Sequence, residues 1–171
     1  GNIVVANSLD ENNQLEVIDG QQRLTTLTLL MRVLLYFDSS NIKLRNSIWE
    51  LDDRTNDIIE PRLFTKVFSN QDQEYFKEVI DLNFDFEALK EPNVNCNLYI
   101  KNVYLFYTEI KKIRNNIEIQ NFVDYILYKA SLLPIQTEGT NKESAREKAL
   151  RIFETINDRG KSLNDSDIFK A

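Results

Sequence analysis

The chain has 171 residues, 42% hydrophobic and 28% charged. That is the composition of one globular domain able to bury a core without the disulfide staples its single Cys96 cannot form within the chain. With no histidine and one cysteine, it cannot build a Ser-His-Asp triad, a Cys-His pair, a His-metal nuclease site or a cysteine-rich zinc site, so its chemistry is left to carboxylates, amides, hydroxyls and Arg or Lys. The 21 basic and 27 acidic residues give a net charge of −6, which makes no global electrostatic case for nucleic-acid binding and leaves room only for a local patch.

In chain order, Ile3-Val4-Val5-Ala6 reads as a short buried strand and Leu15-Glu16-Val17-Ile18 as a second, with the polar stretch Ser8 to Asn13 as the turn of a hairpin. Asp19-Gly20 ends the second strand. From Gln21 the period changes: Leu24, Leu27, Met31, Leu34 and Leu35 predict one apolar face of a helix running to about Phe37. Asp57 to Thr65, interrupted by Pro61, predicts a short extended stretch. Gln71 to Ile80 predicts a helix, and Asn83 to Asn97 a polar connection.

Tyr99, Val103, Phe106, Ile110 and Ile113 share one helical face, and Ile119, Phe122, Val123, Ile126 and Leu127 another. Their aromatics read as helical core rather than as a ligand groove. Ser131 to Thr137 reads as extended, and Thr140-Asn-Lys-Glu143 has the spacing of a capping box. The helix it opens buries Ala145, Ala149, Ile152, Phe153 and Ile156, and Asn157-Asp158-Arg159-Gly160 is expected to end it with glycine in the left-handed position. Asn164 caps a further helix start, cut off one turn later at Ala171.

The expected fold is α+β and mostly helical, a single domain over 1–171 arranged as strand, turn and helix (1–40), a helical middle (41–130), and a strand with helices (131–171). The abrupt ends suggest a fragment of a longer chain. No apolar run approaches the ~18 residues of a membrane helix, and no signal peptide opens the chain, so a cytoplasmic protein without membrane contact is expected.

Two stretches can carry chemistry. In Asp19-Gly20-Gln21-Gln22-Arg23-Leu24-Thr25-Thr26, a strand feeds a glycine turn and then a helix N-terminus, whose free N–H groups and positive dipole end form an anion site. Gly20 lets the backbone approach a phosphate, Arg23 offers a fork to its oxygens, and Asp19 can hold Mg²⁺ or orient a water. The plainer alternative, that Asp19 caps the helix and pairs with Arg23, is the stronger one on spacing alone. In Phe153 to Asp167, the polar residues are expected on a short turn between two helices, where they can converge on a small ligand. A glycine C-cap followed by a capping box accounts for Gly160, Asn164 and Asp167 without a ligand, but not for Asn157, Arg159 and Lys161.

Together, Val17-Ile-Asp-Gly-Gln-Gln-Arg-Leu-Thr-Thr-Leu27 and Phe153-Glu-Thr-Ile-Asn-Asp-Arg-Gly-Lys-Ser-Leu-Asn-Asp-Ser-Asp-Ile168 resemble the two hallmark motifs of the N-terminal domain of GmrSD-type restriction enzymes, the domain of unknown function 262. Pro61-Arg62-Leu63 is similar to a weaker family element. The resemblance implies a partial ParB/sulfiredoxin-like core with a helical extension. It also implies an NTP-binding and NTP-hydrolysing site, Mg²⁺-dependent, that regulates a nuclease acting on modified phage DNA. That nuclease, an HNH-type domain or subunit dependent on histidine, lies outside this chain, and DNA is met only through the parent protein.

Carried over by position, Asp19 acts on metal or water, Gly20 and Gln21 give backbone contacts, Gln22 positions a phosphate or water, and Arg23 binds phosphate. Asn157 and Arg159 complete the pocket, and the resemblance extends the set to Lys161 and Asp167. The family begins upstream of Gly1 with a Gln-Arg-x-Tyr-like element, so the chain is expected to hold part of the pocket. Two rivals stand beside this reading: a nucleotide-sensing or protein-docking module without turnover, and a ParB-like domain that itself binds or cuts DNA, against which the −6 charge counts.

Overall fold

In the computed structural model, which describes residues 2–7, 14–64, 70–113 and 119–160, the elements in chain order are β1 (Asn2–Asn7), β2 (Leu15–Asp19), α1 (Gln21–Phe37), α2 (Ile42–Ile48), β3 (Trp49–Leu51), β4 (Ile58–Pro61), α3 (Asn70–Ile80), α4 (Leu98–Ile113), α5 (Ile119–Tyr128), β5 (Leu133–Glu138) and α6 (Lys142–Gly160). The fold is α+β and mostly helical. Among the described residues no helix is long and apolar enough to cross a membrane. Two compact units make up the chain: residues 1–21 with 131–171, and residues 22–130.

In the first unit, β1 is the central strand of a sheet ordered β2-β1-β5. It pairs antiparallel with β2, Val5 opposite Val17 and Val4 opposite Asp19, and parallel with β5, Val4 opposite Ile135. The expected hairpin pairing is therefore present; its turn at 8–13 lies outside the described residues. Alternation sends Val4 and Ala6 to one face, where Ala145 and Ala149 of α6 meet them, with Ile18, Ile152 and Ile156 packed around. Alanines at i and i+4 let the helix backbone approach the sheet closely.

The buried Thr137 hydroxyl donates to the Ala145 carbonyl at 2.8 Å, tying β5 to the first turn of α6. A side chain at Gly139 would place its Cβ 2.3 Å from the Ala145 nitrogen, so only glycine fits this connection. The helix is capped by Asn141, whose Oδ1 accepts from the Ser144 N–H at 2.8 Å, and not by Thr140 as the capping-box spacing predicts. An Asn at this position reaches the N–H three residues on, which moves the helix start to Lys142.

The second unit buries Leu29, Val33, Leu34 and Leu35 of α1 with Leu44, Ile48, Trp49, Phe76, Val79, Ile80, Phe86, Val103, Tyr107, Ile110 and Val123. Tyr99, Phe106 and Tyr107 of α4 and Phe122 of α5 pack in or against this core, as the sequence suggests, while Tyr125 and Tyr128 of α5 are exposed. Of the expected apolar face of α1, Leu34 and Leu35 are buried. Leu24, Leu27 and Met31 are half-buried while Leu29 and Val33 are fully enclosed, because α1 is apolar around most of its circumference and packing chooses the face.

Arg32, 3% exposed, lies among these apolar residues. Its Nη2 donates to the carbonyls of Asp81 (2.8 Å) and Leu82 (3.2 Å) just past the end of α3, and its guanidinium sits 4.8 Å from the Phe86 ring centroid. A cation at the carbonyl end of a helix meets its negative dipole. Burial pushes the group down from 12.5 to about 10, with Asp81 opposing, which leaves it charged at neutral pH.

Two elements had no sequence expectation. In α2, Asn41 Oδ1 accepts from the N–H groups of Lys43 and Leu44 at 3.1 and 3.2 Å. The chain then passes directly into β3, which pairs antiparallel with β4, Trp49 opposite Pro61. Near the aromatic cluster, Tyr36 donates to Glu87, and Lys111 lies 3.0 Å from the Tyr107 hydroxyl and 3.6 Å from Glu87.

Candidate functional site

The Asp19–Arg23 turn is built from the edge of the first unit's sheet. β2 ends at Asp19, opposite Val4, and a register shift lies beside that pair between Val4 and Val5. Gly20 follows with φ +98. It is buried, and a Cβ there would lie 2.9 Å from Ile3 Cγ1 and 3.4 Å from Ile3 Cα. Both the left-handed backbone and the close approach of β1 require glycine at this point. The requirement arises within the protein itself, before any ligand is considered.

Gln21 then opens the 17-residue α1. Its Nε2 donates to the Val17 carbonyl at 2.9 Å, so the side chain of the first helical residue is fastened to the strand that leads into the turn. Gln22 is exposed, and its carbonyl accepts the Thr26 hydroxyl at 2.7 Å. Arg23 is exposed on the same first turn, and Asp19 is half-buried. The first turn of α1 has no acidic residue, and the residue before it is glycine, which offers no capping side chain. α6, by contrast, has Glu143 in its first turn and Asn141 as its cap. Arg23 is a cation near the positive end of the helix, where the dipole by itself disfavours one.

The second stretch differs from expectation. The predicted turn at Asn157-Asp158-Arg159-Gly160 is helical, because α6 continues through Gly160. Ile156 still packs on the Val4 and Ala6 cluster and carries the helix into a further turn. Asn157, exposed, therefore stands on the last turn of α6, as does the backbone of Arg159. Lys161 and Asp167 lie outside the described residues, as does the helix start expected at Asn164.

The topology brings the end of β2 and the last turn of α6 to one end of the first unit's sheet. α6 departs from the end of β5, where Thr137 bonds Ala145, and runs back so that Ile152 and Ile156 reach the cluster that Ile18 also joins. Ile18 immediately precedes Asp19, so the end of β2 and the last turn of α6 share that end.

Among the described residues no group of three Cys, Asp or Glu gathers as a metal cage. Hollows of about 380 Å³ (Phe37, Asp38, Ile119, Gln120) and 640 Å³ (including Glu78, Asp81, Phe84 and Asp85) lie in the second unit, and no turn residue lines either. The roles of Ile3 as the wall behind Gly20 and of the Val17 carbonyl as the anchor of Gln21 had no sequence signal beyond the presence of the glycine.

No curated protein and no solved structure gives a significant match to the chain. Comparison with protein families matches the GmrSD restriction endonuclease, N-terminal domain, over residues 1–171. With its whole length covered, the chain belongs to the GmrSD restriction endonuclease N-terminal domain family and so to a restriction and phage-defence system.

Proposed function

We propose that this domain binds a nucleoside triphosphate at the Asp19–Arg23 turn, hydrolyses it with Mg²⁺, and thereby regulates a nuclease that acts on modified DNA. The observation that carries the reading is the start of α1: a buried glycine at φ +98, no acidic side chain in the first turn, and an exposed Arg23 on that turn. A helix N-terminus favours an anion at this point, and the guanidinium fork of Arg23 suits phosphate oxygens.

Phosphoryl transfer asks a protein chiefly for positioning and charge neutralisation, so a chain without histidine is equal to it. Mg²⁺ is commonly held by one or two carboxylates together with substrate phosphates, and Asp19, at the end of β2, fits that modest demand. Bound there, the ion would supply neutralisation of phosphate charge. Gln22 then orients the phosphate or water and Gly20 admits the backbone approach. Asn157 and Arg159, with Lys161 and Asp167, are proposed to close the pocket. The sheet of the first unit is read as part of a ParB/sulfiredoxin-like core. The nuclease, an HNH-type domain or subunit, is proposed to lie outside these residues, in the cytoplasm with its DNA.

The test is phosphate release from ATP, GTP, CTP and UTP by the full-length protein, with and without Mg²⁺, beside Arg23→Ala. Turnover with at least one nucleotide is expected, lost in the variant while the melting temperature stays within ~2 °C, as for a surface substitution. A parallel loss of folding would make Arg23 a structural cation, and absence of turnover with all four nucleotides would refute the enzyme.

A further inference from the structure

We infer that the adjacent glutamines of the turn have opposite roles: Gln21 is a positioning residue whose side chain braces the turn from inside, and Gln22 is the one that faces the nucleotide. The inference rests on the nucleotide reading above and refines the equal treatment of the two residues that the motif suggests. Gln21 spends its side-chain amide on Val17 at 2.9 Å, four residues back across Gly20. Val17 is itself paired with Val5 on the central strand, so the brace ends on fixed backbone. On the other side of the turn, Gly20 is seated against Ile3, which is 4% exposed.

The turn is thus held from β2 by a hydrogen bond and from β1 by a wall. Such holding matters at a glycine more than elsewhere, because glycine visits more backbone conformations than any other residue. A binding site that is correctly formed for only a fraction of the time has its apparent affinity reduced by that fraction. One net hydrogen bond shifts such an equilibrium by roughly two- to tenfold. The bond joins an exposed side chain to the backbone, so its loss affects how the first-turn N–H groups are presented more than whether the domain folds.

The experiment compares Gln21→Met and Gln22→Met in the full-length protein. Methionine keeps the length and helix preference of glutamine and removes the donor. Two readouts are taken: hydrogen exchange at the backbone amides of Leu24 and Thr25 without nucleotide, and KM and kcat for the nucleotide that is turned over. For Gln21→Met the expected result is faster exchange at both amides, KM raised about three- to tenfold as one lost hydrogen bond implies, and kcat within about twofold. For Gln22→Met it is unchanged exchange and kcat lowered tenfold or more, the loss expected of a group acting in the transition state.

Unchanged exchange in Gln21→Met overturns the inference. So does a fall in its kcat at constant KM, which would make that side chain a substrate ligand. If the unaltered protein binds no nucleotide, the nucleotide reading fails by itself and exchange alone decides the brace: faster exchange in Gln21→Met keeps it, unchanged exchange removes it.

Discussion

In the unit formed by residues 1–21 and 131–171, a helix lies on a sheet through Ala145 and Ala149, neither with any exposed area. In the unit of residues 22–130, large side chains fill the interior, Phe86, Leu29, Leu34 and Leu44 among the most completely buried, and one arginine is enclosed with them. The first holds its parts together by bringing backbones close, the second by filling volume. A closely approached helix and sheet leave no slack for a larger side chain, whereas a thick core is sensitive to what is taken away. The candidate turn begins in the closely packed unit, where Gly20 is itself seated against β1.

Substitutions test the contrast from opposite sides. Phe86→Ala in the thick core removes a ring lying 4.7 Å from Tyr36, 5.0 Å from Phe84 and 5.9 Å from Tyr107, centroid to centroid. It should cost about 3–5 kcal/mol in urea denaturation; a cost below ~1 kcal/mol would mean that the core collapses around the gap and is not rigidly packed. In the thin unit the informative change is an addition. Ala149→Leu should destabilise by about 1–3 kcal/mol because the helix must lift from the sheet, and a neutral result would show that close approach is not what holds α6.

The smallest effect concerns the rim of the thick core, where the hydrogen bond to Glu87 raises the Tyr36 hydroxyl from 10.0 to about 12. Between pH 10 and 12 the unfolded chain has lost this proton and the folded chain has kept it. Stability from this group is therefore complete below pH 10 and declines across the window. Tyr36→Phe should flatten that part of a stability–pH curve by a modest amount, since the group is largely solvated; an unaltered slope would place the alkaline loss elsewhere.

What could be read from the sequence follows the same division. β1, β2 and β5 are short runs of apolar residues bounded by polar or glycine-containing stretches, and α4, α5 and α6 have clear helical periods, so each was legible. α2 has only seven residues and two buried positions, Leu44 and Ile48, too few to show a period. The buried face of α1 is legible only in part, at Leu34 and Leu35 and not at Leu29 and Val33, because leucines surround the helix, and the enclosure of Arg32 depends on carbonyls 49 and 50 residues away, which no local pattern encodes.

At the candidate site, the glycine turn and the family resemblance were visible. The anchoring of Gln21 to a main-chain oxygen and the wall provided by Ile3 were not, since both arise from backbone geometry. The helical conformation of 157–160 is not legible, since a glycine after polar residues reads as a terminator, while α6 includes Gly160.

The parallel pairing of β1 with β5 has a consequence for the order of events during synthesis. The Val5 and Thr137 contact spans 132 residues of sequence, so the central strand emerges from the ribosome well before its partner exists. Everything between, including the whole of the second unit, can condense on local contacts first. The first unit must wait for β5, with a loop-closure entropy that grows only with the logarithm of the intervening length and is lessened when that length is already folded. Until then β1 and β2 form an isolated hairpin of marginal stability. While β5 is still to be made, the second unit can be complete, but the end of the first unit where β2 and the last turn of α6 meet does not yet exist.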